Sequence, residues 1–361
     1  MAAEQDRLDK LRLIRSSQIG PVSYHQLIRR FGSARAALDA IPDLVGRAGG
    51  KLPRLASSAE AIKEFEQVQM FGARHVFCGE QEYPPLLAEM DTAPPVLIVR
   101  GDLALAQRPC LAMVGARNAS AAACRFALDL SADLSARGVV IVSGLARGID
   151  AHAHRGALIG GTIAVIASGI DRAYPPEHAE FQEEIAQKGL LISEQPPGRE
   201  PLARHFPARN RIIAGVARGT VVVEAAPKSG SLITARIANE AGRDVMAVPG
   251  SPRDPRAQGC NLLIREGAIL VQSSDDILEI FHGFGHQSAQ ISPSFREEPE
   301  VAEPDDEARM QLRQLLSPVP VGVDDLVRQS GLATPLVQTI LLELELGGLV
   351  ERHAGGRVSL Y

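Results

Sequence analysis

The chain contains no tryptophan, and its aromatic residues are 4 Tyr and 10 Phe out of 361. A surface that holds nucleobases by stacking must therefore use very few rings. Excess positive charge is also missing: 38 Lys and Arg stand against 43 Asp and Glu, a formal net charge of −5. That balance argues against a protein that coats nucleic acid by bulk charge. The four cysteines, at 78, 110, 124 and 260, form no CxxC pair and no metal-ligand spacing. They read as reduced, mostly structural thiols, so a cytoplasmic protein without a metal is expected. The first residues mix acids and bases without an apolar core, and no signal peptide is expected. No apolar run approaches the roughly 18 residues of a membrane span, so no membrane partner is expected.

What is present is apolar residue in quantity, 45% of the chain, enough to build a large core. The stretch around which the rest is organised runs from Val139 to Ile149. Val139 to Val142 form a short β-branched run, as in a strand buried on both faces of a parallel sheet. Ser143 and Gly144 break that run, Gly148 supplies a second hinge, and Asp150 can cap a helix through Leu158. Strand, glycine turn and helix start aim backbone N–H groups and a helix dipole at an anion, and Arg147 adds a full charge. The arrangement recurs. VGAR (Val114 to Arg117) ends an earlier apolar run, and KSGS (Lys228 to Ser231) follows another, Thr220 to Ala225. Three glycine-bearing strand ends are expected on the carboxyl edge of one sheet, where α/β proteins bind ligands.

Charge is unevenly placed. Residues 199–218 hold Arg199, Arg204, Arg209, Arg211 and Arg218 against Glu200 alone, whereas residues 283–361 carry 6 basic and 12 acidic side chains. Along the chain, residues 1–82 show helical spacing (Leu8, Leu11, Ile14; then Tyr24, Leu27, Ile28, Phe31) interrupted by Gly turns. They read as a helical bundle of the sterile-alpha-motif or helix-hairpin-helix kind. Residues 83–284 alternate strand and helix patterns, which predicts a doubly wound parallel sheet. Residues 285–306, rich in Ser, Pro and acid, read as a flexible linker. Residues 307–361 give three helices and a β-hairpin, a winged helix.

The motifs VGAR at 114–117, VSGLARGIDAHAHRGAL at 142–158, YPPEH at 174–178, ISEQPPG at 192–198, FPARNRIIAG at 206–215, the run 221–250 and GCNLLIREGA at 259–268 together resemble the DNA-processing protein family DprA, also called Smf. The resemblance implies an extended Rossmann-like α/β domain that binds single-stranded DNA. It also implies protection of incoming DNA in natural transformation and loading of the recombinase RecA, with no catalysis and no cofactor. The residues fit such a role. Gly115, Gly144, Gly148 and Gly230 let phosphates approach the backbone. Arg117, Arg147, Arg209, Arg211 and Lys228 supply charge, and Ser143, Ser229 and Ser231 supply hydroxyls. Phe206 is the ring for stacking, and Asn210 can present donor and acceptor together, to a base edge or to a loop carbonyl. Arg211 has a competing role as internal partner of Glu194 or Glu224, and the serines an equal one as helix caps. Because the net charge is acidic, a homodimer or cooperative coating is expected to supplement a single protomer.

Rival readings differ in class. SGSLITARIANE loosely echoes the phosphate loop of lysine-decarboxylase-like nucleotide hydrolases, with Glu240 as acid and a nucleoside monophosphate as substrate, but the double glycine is missing. A dinucleotide dehydrogenase lacks GxGxxG, and a serine hydrolase lacks GxSxG around Ser143. A pure interaction adaptor is the third class. The winged helix departs from a DNA reader. Its third helix, Thr334 to Leu346, has no Lys or Arg, and Glu343 and Glu345 would face phosphates with the wrong sign. Its surplus of apolar residues, Leu336, Val337, Ile340, Leu341 and Leu344, predicts a tethered module that meets a protein partner or the Rossmann body.

Overall fold

The computed structural model describes residues 2–283, 303–353 and 355–361. The expected linker at 285–306 lies outside these up to residue 302. Two compact units emerge, Lys63–Ser288 and a second made from both chain ends, Met1–Ile62 with Ala289–Tyr361.

The chain begins with α1 (Ala2–Arg15), α2 (Pro21–Phe31), α3 (Ala34–Ala48) and α4 (Ser58–Met70). Gly32 ends α2 at φ 73°, a left-handed conformation that glycine adopts without strain. Ser33 caps α3 by accepting from the Ala36 N–H at 3.2 Å.

The α/β unit continues with β1 (Arg74–Phe77), α5 (Pro85–Ala88), β2 (Val96–Gly101), β3 (Cys110–Gly115), α6 (Ala121–Ala136), β4 (Val140–Ser143) and α7 (Ile149–Ala157). Next come β5 (Thr162–Ile166), α8 (Ala179–Lys188), β6 (Leu190–Ser193), α9 (His205–Val216), β7 (Gly219–Val223), α10 (Gly230–Glu240), β8 (Asp244–Ala247), α11 (Gln258–Arg265), β9 (Ile269–Leu270) and α12 (Ser274–Gly283). The nine strands lie in the order β1-β2-β6-β5-β4-β3-β7-β8-β9. From β6 to β9 every neighbouring pair is parallel. The central strands are buried along their length because each pleat face is covered. Cys110, Ala112 and Val114 of β3 join Ile212, Ile213 and Val216 of α9 on one side. Leu111 and Met113 join Leu130 and Leu134 of α6 and Ala153 of α7 on the other. After β3 the chain steps one way through β4, β5 and β6, then returns to place β7 on the opposite side of β3. That reversal leaves a crevice outside the carboxyl ends of β3 and β7.

The domain boundary expected at 82/83 needs correction. Arg74–Phe77 pairs antiparallel with β2, Arg74 opposite Val99 and Phe77 opposite Val96, so the sheet begins before residue 82. The strand was hidden because it carries Arg74 and His75; His75 is buried, with Glu64 Oε1 3.2 Å from its Nε2.

The last elements are α13 (Asp306–Leu315), β10 (Val321–Gly322), α14 (Val323–Ser330), α15 (Thr334–Leu346), β11 (Val350–His353) and β12 (Arg357–Leu360). Pairing in the order β10-β12-β11 makes the wing. Most of the surplus apolar residues of α15 are buried within this unit. Val337, Ile340, Leu341 and Leu344 fill the winged-helix core with Leu312 and Leu326. Leu342 and Leu346 enter the N-terminal core beside Leu13, Leu27 and Ile41. Each leucine so buried contributes about 1.5–3 kcal/mol. Backbones meet as well: Lys51 N–H donates to Gly347 O at 3.1 Å, and a Cβ at Gly50 would lie 2.4 Å from Gly347. The Gln26 amide donates to Gln338 Oε1 at 2.8 Å. Glu343 faces no phosphate; it is buried and bound by Arg309 at 2.8 and 3.1 Å. Glu345 is held by Arg352 at 2.7 Å, which also removes a wing arginine from solvent duty. The winged helix and the N-terminal helices therefore form one body.

Candidate nucleic-acid interface

The residues expected at the carboxyl edge do gather there, but they divide into an inner set that builds the loops and an outer set that faces solvent. Gly115 closes β3 opposite Val223 of β7, and a Cβ there would sit 2.2 Å from the Val223 carbonyl and 2.5 Å from Ile149. Its role is close packing of strand on strand and helix. Gly148 (φ 72°) serves the same end, since a Cβ would lie 2.3 Å from the Ala116 carbonyl. It also precedes α7 in the position assigned by sequence to Asp150.

The loop from Ser143 to Arg147 is not an open anion cradle. The Ser143 hydroxyl is fully buried and donates to Met113 O at 2.6 Å. The Gly144 and Ala146 N–H groups donate to Asp150 Oδ2 at 3.1 and 3.3 Å. The Leu145 N–H donates to His154 Nε2 at 3.3 Å. A buried carboxylate and a buried imidazole thus take the donors that the glycine pattern promised to a ligand. Burial raises the Asp150 pKa, opposed by Arg209 and by the loop N–H groups. Burial pushes His154 down to about 3, which suits a ring that accepts from a backbone N–H.

Helix α9 carries four expected contacts, Phe206, Arg209, Asn210 and Arg211, and only its first turn is open. Arg209 is 7% exposed and its guanidinium lies against Gly144. Burial, and then the neighbouring Arg117, pull its pKa down to about 10 against the pull of Asp150, so it is charged at neutral pH. Its Nε has no hydrogen-bond partner. Arg211 is bound by Glu194 at 2.5 Å, with both side chains about nine-tenths covered; of the two internal partners considered for it, Glu194 holds it. Asn210 donates to Gly230 O at 3.4 Å, the loop-carbonyl alternative. Of the remaining arginines in this stretch, Arg199 and Arg204 are exposed and Arg218 lies over the Phe281 ring.

The outer set is small. Arg117 is exposed, with Cζ 5.2 Å from the Phe206 ring centroid. Phe206 is half-buried, so it is not a core residue capping the sheet. Lys228 is exposed and enters no ion pair among the described residues. Ser229 caps α10, accepting from Ser231 N–H at 3.4 Å, and the two hydroxyls share a 2.7 Å bond. Gly230 has open space where a side chain would be. Arg147 is exposed and paired with Glu177.

Sequence reasoning missed three groups. Tyr174 packs on Phe206, ring centroids 5.4 Å apart; its signal was the YPP motif following the fifth strand pattern. Glu224, at φ 59°, ends β7 and binds Ser120 through N–H at 2.9 Å and hydroxyl at 2.6 Å, which fixes the Arg117 loop. Asp150 was read as a cap and proved to be the centre of the inner set. Glu240 lies on the exposed face of α10 paired with Arg236 at 2.8 Å, remote in role from a catalytic acid. Among the described residues no group of three His, Cys, Asp or Glu side chains is placed to hold a metal, and no helix is long and apolar enough to cross a membrane.

Comparison with known proteins agrees with this architecture. Residues 74–282 match the family described as DNA recombination-mediator protein A, residues 4–66 the DprA-like N-terminal HHH domain, and residues 296–356 the DprA winged helix domain. A Smf protein of Synechocystis sp. is 34% identical over 94% of this chain and 95% of its own. The DNA processing protein DprA of Streptococcus pneumoniae is 45% identical over 62% of this chain and 78% of its own. Its solved structure superposes with a TM-score of 0.58, covering 62% of this chain and 77% of that one at 44% identity. A structure describing the single-stranded DNA binding mode of DNA processing protein A from Helicobacter pylori superposes at 0.54, covering 58% of this chain and 96% of that one at 28% identity. Matched over more than half its length by the first of these families and at both ends by its companion domains, the chain belongs to the DprA (Smf) family of DNA recombination mediators.

Proposed function

We propose that this chain binds single-stranded DNA at the carboxyl edge of its sheet, protects incoming DNA in natural transformation and loads RecA on it. It does so as a cytoplasmic homodimer, without catalysis and without a cofactor. The observation that carries the reading is the outer set: an exposed Arg117 stacked over a half-buried Phe206, near an unpaired Lys228 and the open backbone at Gly230. Phosphates need the first kind of group and unstacked bases the second. The local charge compensates for an acidic whole, because fixed cations in a crevice attract phosphate regardless of distant acids. The binding mode described for the Helicobacter pylori relative lends support. The edge strand β9, whose Ile269 and Leu270 are 39% and 46% exposed, supports pairing of two chains, since unpaired apolar edges seek a partner.

The test compares labelled oligo-dT, duplex DNA and AMP side by side. Binding of oligo-dT well above duplex and AMP is expected, followed by faster nucleation of RecA filaments on the bound strand. Preference for AMP, or no oligo-dT binding at all, would overturn the reading.

A further inference from the structure

The Phe206 ring of the interface has an aromatic companion. Tyr174 lies in the segment after β5 and is 43% exposed, one of only 4 tyrosines in the chain. Its ring meets Phe206 at 5.4 Å and 59°, a tilted contact and not a closed sandwich. Its hydroxyl makes no hydrogen bond among the described residues, so only the ring contact with Phe206 holds it. Arg117 also lies over the Phe206 ring, its Cζ 5.2 Å from the centroid. Arg147 is close enough to the Tyr174 phenol for the two to interact electrostatically. Four segments of chain, the loops after β3, β4 and β5 and the first turn of α9, thus bring two cations and two rings into successive pairwise proximity, Arg117 to Phe206, Phe206 to Tyr174 and Tyr174 to Arg147.

We infer that Tyr174 is a second base-stacking residue, and that a single strand passes along these side chains with a base on its exposed ring and a phosphate on Arg147. This rests on the single-strand reading above. Phe206 has Arg117 on its ring and Tyr174 against it, and it is half-buried; Tyr174 is the more accessible of the two. A strand that reaches Arg147 must displace Glu177, which is an exposed pair and therefore held only weakly. The bland alternative is that Tyr174 merely covers the Phe206 ring.

The experiment separates the two. The chain has no tryptophan, so Tyr174→Trp installs a single fluorophore at the site. Its emission should be quenched when oligo-dT is added to the full-length protein. Tyr174→Ala should weaken oligo-dT binding about 5- to 150-fold with an unchanged salt slope, because a ring and not a charge is lost. Tyr174→Phe should bind as wild type, and Tyr174→Leu, which still covers Phe206, should bind as poorly as the alanine variant. If Tyr174→Leu restores full affinity, or if the tryptophan is not quenched while wild type binds, Tyr174 is a cover and the inference fails alone. Absence of oligo-dT binding by wild type would instead remove the reading on which it rests, and the inference with it.

Discussion

A Cβ placed on Gly144 would lie 1.3 Å from Nη1 of Arg209. The guanidinium occupies the volume that any side chain at 144 would need, and so the glycine of the organising turn serves an arginine rather than a phosphate. Asp150 completes the group from inside, binding the Gly144 and Ala146 N–H groups while its charge faces Arg209. The crevice at the strand reversal is therefore filled at its base by a fixed internal network, and the surface above it is left to Arg117, Phe206 and Tyr174.

Replacing Arg209 with Met should cost about 3–5 kcal/mol of stability, because Asp150 stays buried without its nearest cation. The folded-state pKa of Asp150 is already raised by burial. Loss of Arg209 raises it further, so its protonated form folds better than its ionised form. The penalty should accordingly shrink as pH falls toward the carboxylate range and be full at neutral pH. Urea titrations at neutral and mildly acidic pH check this; a stable Arg209→Met variant that only loses DNA affinity would place Arg209 in the outer set.

Arg117 and Arg211 should separate by the kind of damage they cause. Arg117→Ala removes an exposed cation, so oligo-dT affinity should fall and the salt slope should flatten by roughly 0.7. Arg211→Ala removes the ion-pair partner of half-buried Glu194, so the melting temperature should drop while the slope of the folded protein stays at the wild-type value. Equal slopes for both variants would contradict the division into inner and outer sets.

Much of this was readable from the residues. Short continuous apolar runs located the central strands, and the glycine turns located the carboxyl edge. What stayed hidden is chemistry that sequence order does not carry. Ser143, Gly144 and Arg147 share one turn, yet Ser143 is consumed by Met113, Gly144 by Arg209 and Asp150, and only Arg147 reaches solvent. Partner choice depends on residues as far as 65 positions away. Arg209 and Arg211 stand two apart on α9 and look equivalent in sequence, but they point to different acids. Strand β1 was missed because a buried His satisfied by Glu64 breaks the apolar alternation.

Glu177→Gln should strengthen oligo-dT binding. The substitution keeps the side-chain shape but removes the carboxylate that now competes for Arg147. A freed guanidinium adds one phosphate contact, so the salt slope should steepen by roughly 0.7. Unchanged affinity and slope would show that Arg147 takes no part.

Stability should fall as pH drops below about 6.5, with His154 a principal contributor. Its imidazole is neutral in the fold and held down to about 3 by burial, whereas in the unfolded chain it takes a proton near 6.5. A depressed folded-state pKa means the contribution is complete above the unfolded value and lost progressively between about 6.5 and 3. His154→Gln should flatten the dependence of melting temperature on pH across that window. A parallel pH profile in the variant would assign the loss to other groups.

The winged helix should prove to be a structural partner of the N-terminal helices rather than an independent reader. Leu342 and Leu346 are buried in the N-terminal core, and Gly347 lies too close to Gly50 for either to carry a side chain without shifting. A helix sealed on that face leaves only its first turn, Thr334 and Pro335, exposed for a groove, and its acids are already bound to Arg309 and Arg352. Leu346→Ala should therefore destabilise the N-terminal helices by about 2–5 kcal/mol, read as a lower transition in hydrogen exchange over residues 8–48. Bridging Gln26→Cys to Gln338→Cys with a short thiol-reactive crosslinker, which replaces the reach of the two amide side chains that now meet at 2.8 Å, should pin the pair together without loss of fold. All of the expected site residues lie within Lys63–Ser288, so the locked protein should bind oligo-dT within about threefold of wild type, under roughly 1 kcal/mol. If locking abolishes a duplex affinity that the unlocked protein shows at physiological salt, the two ends must part for α15 to work, and the purely structural role is wrong.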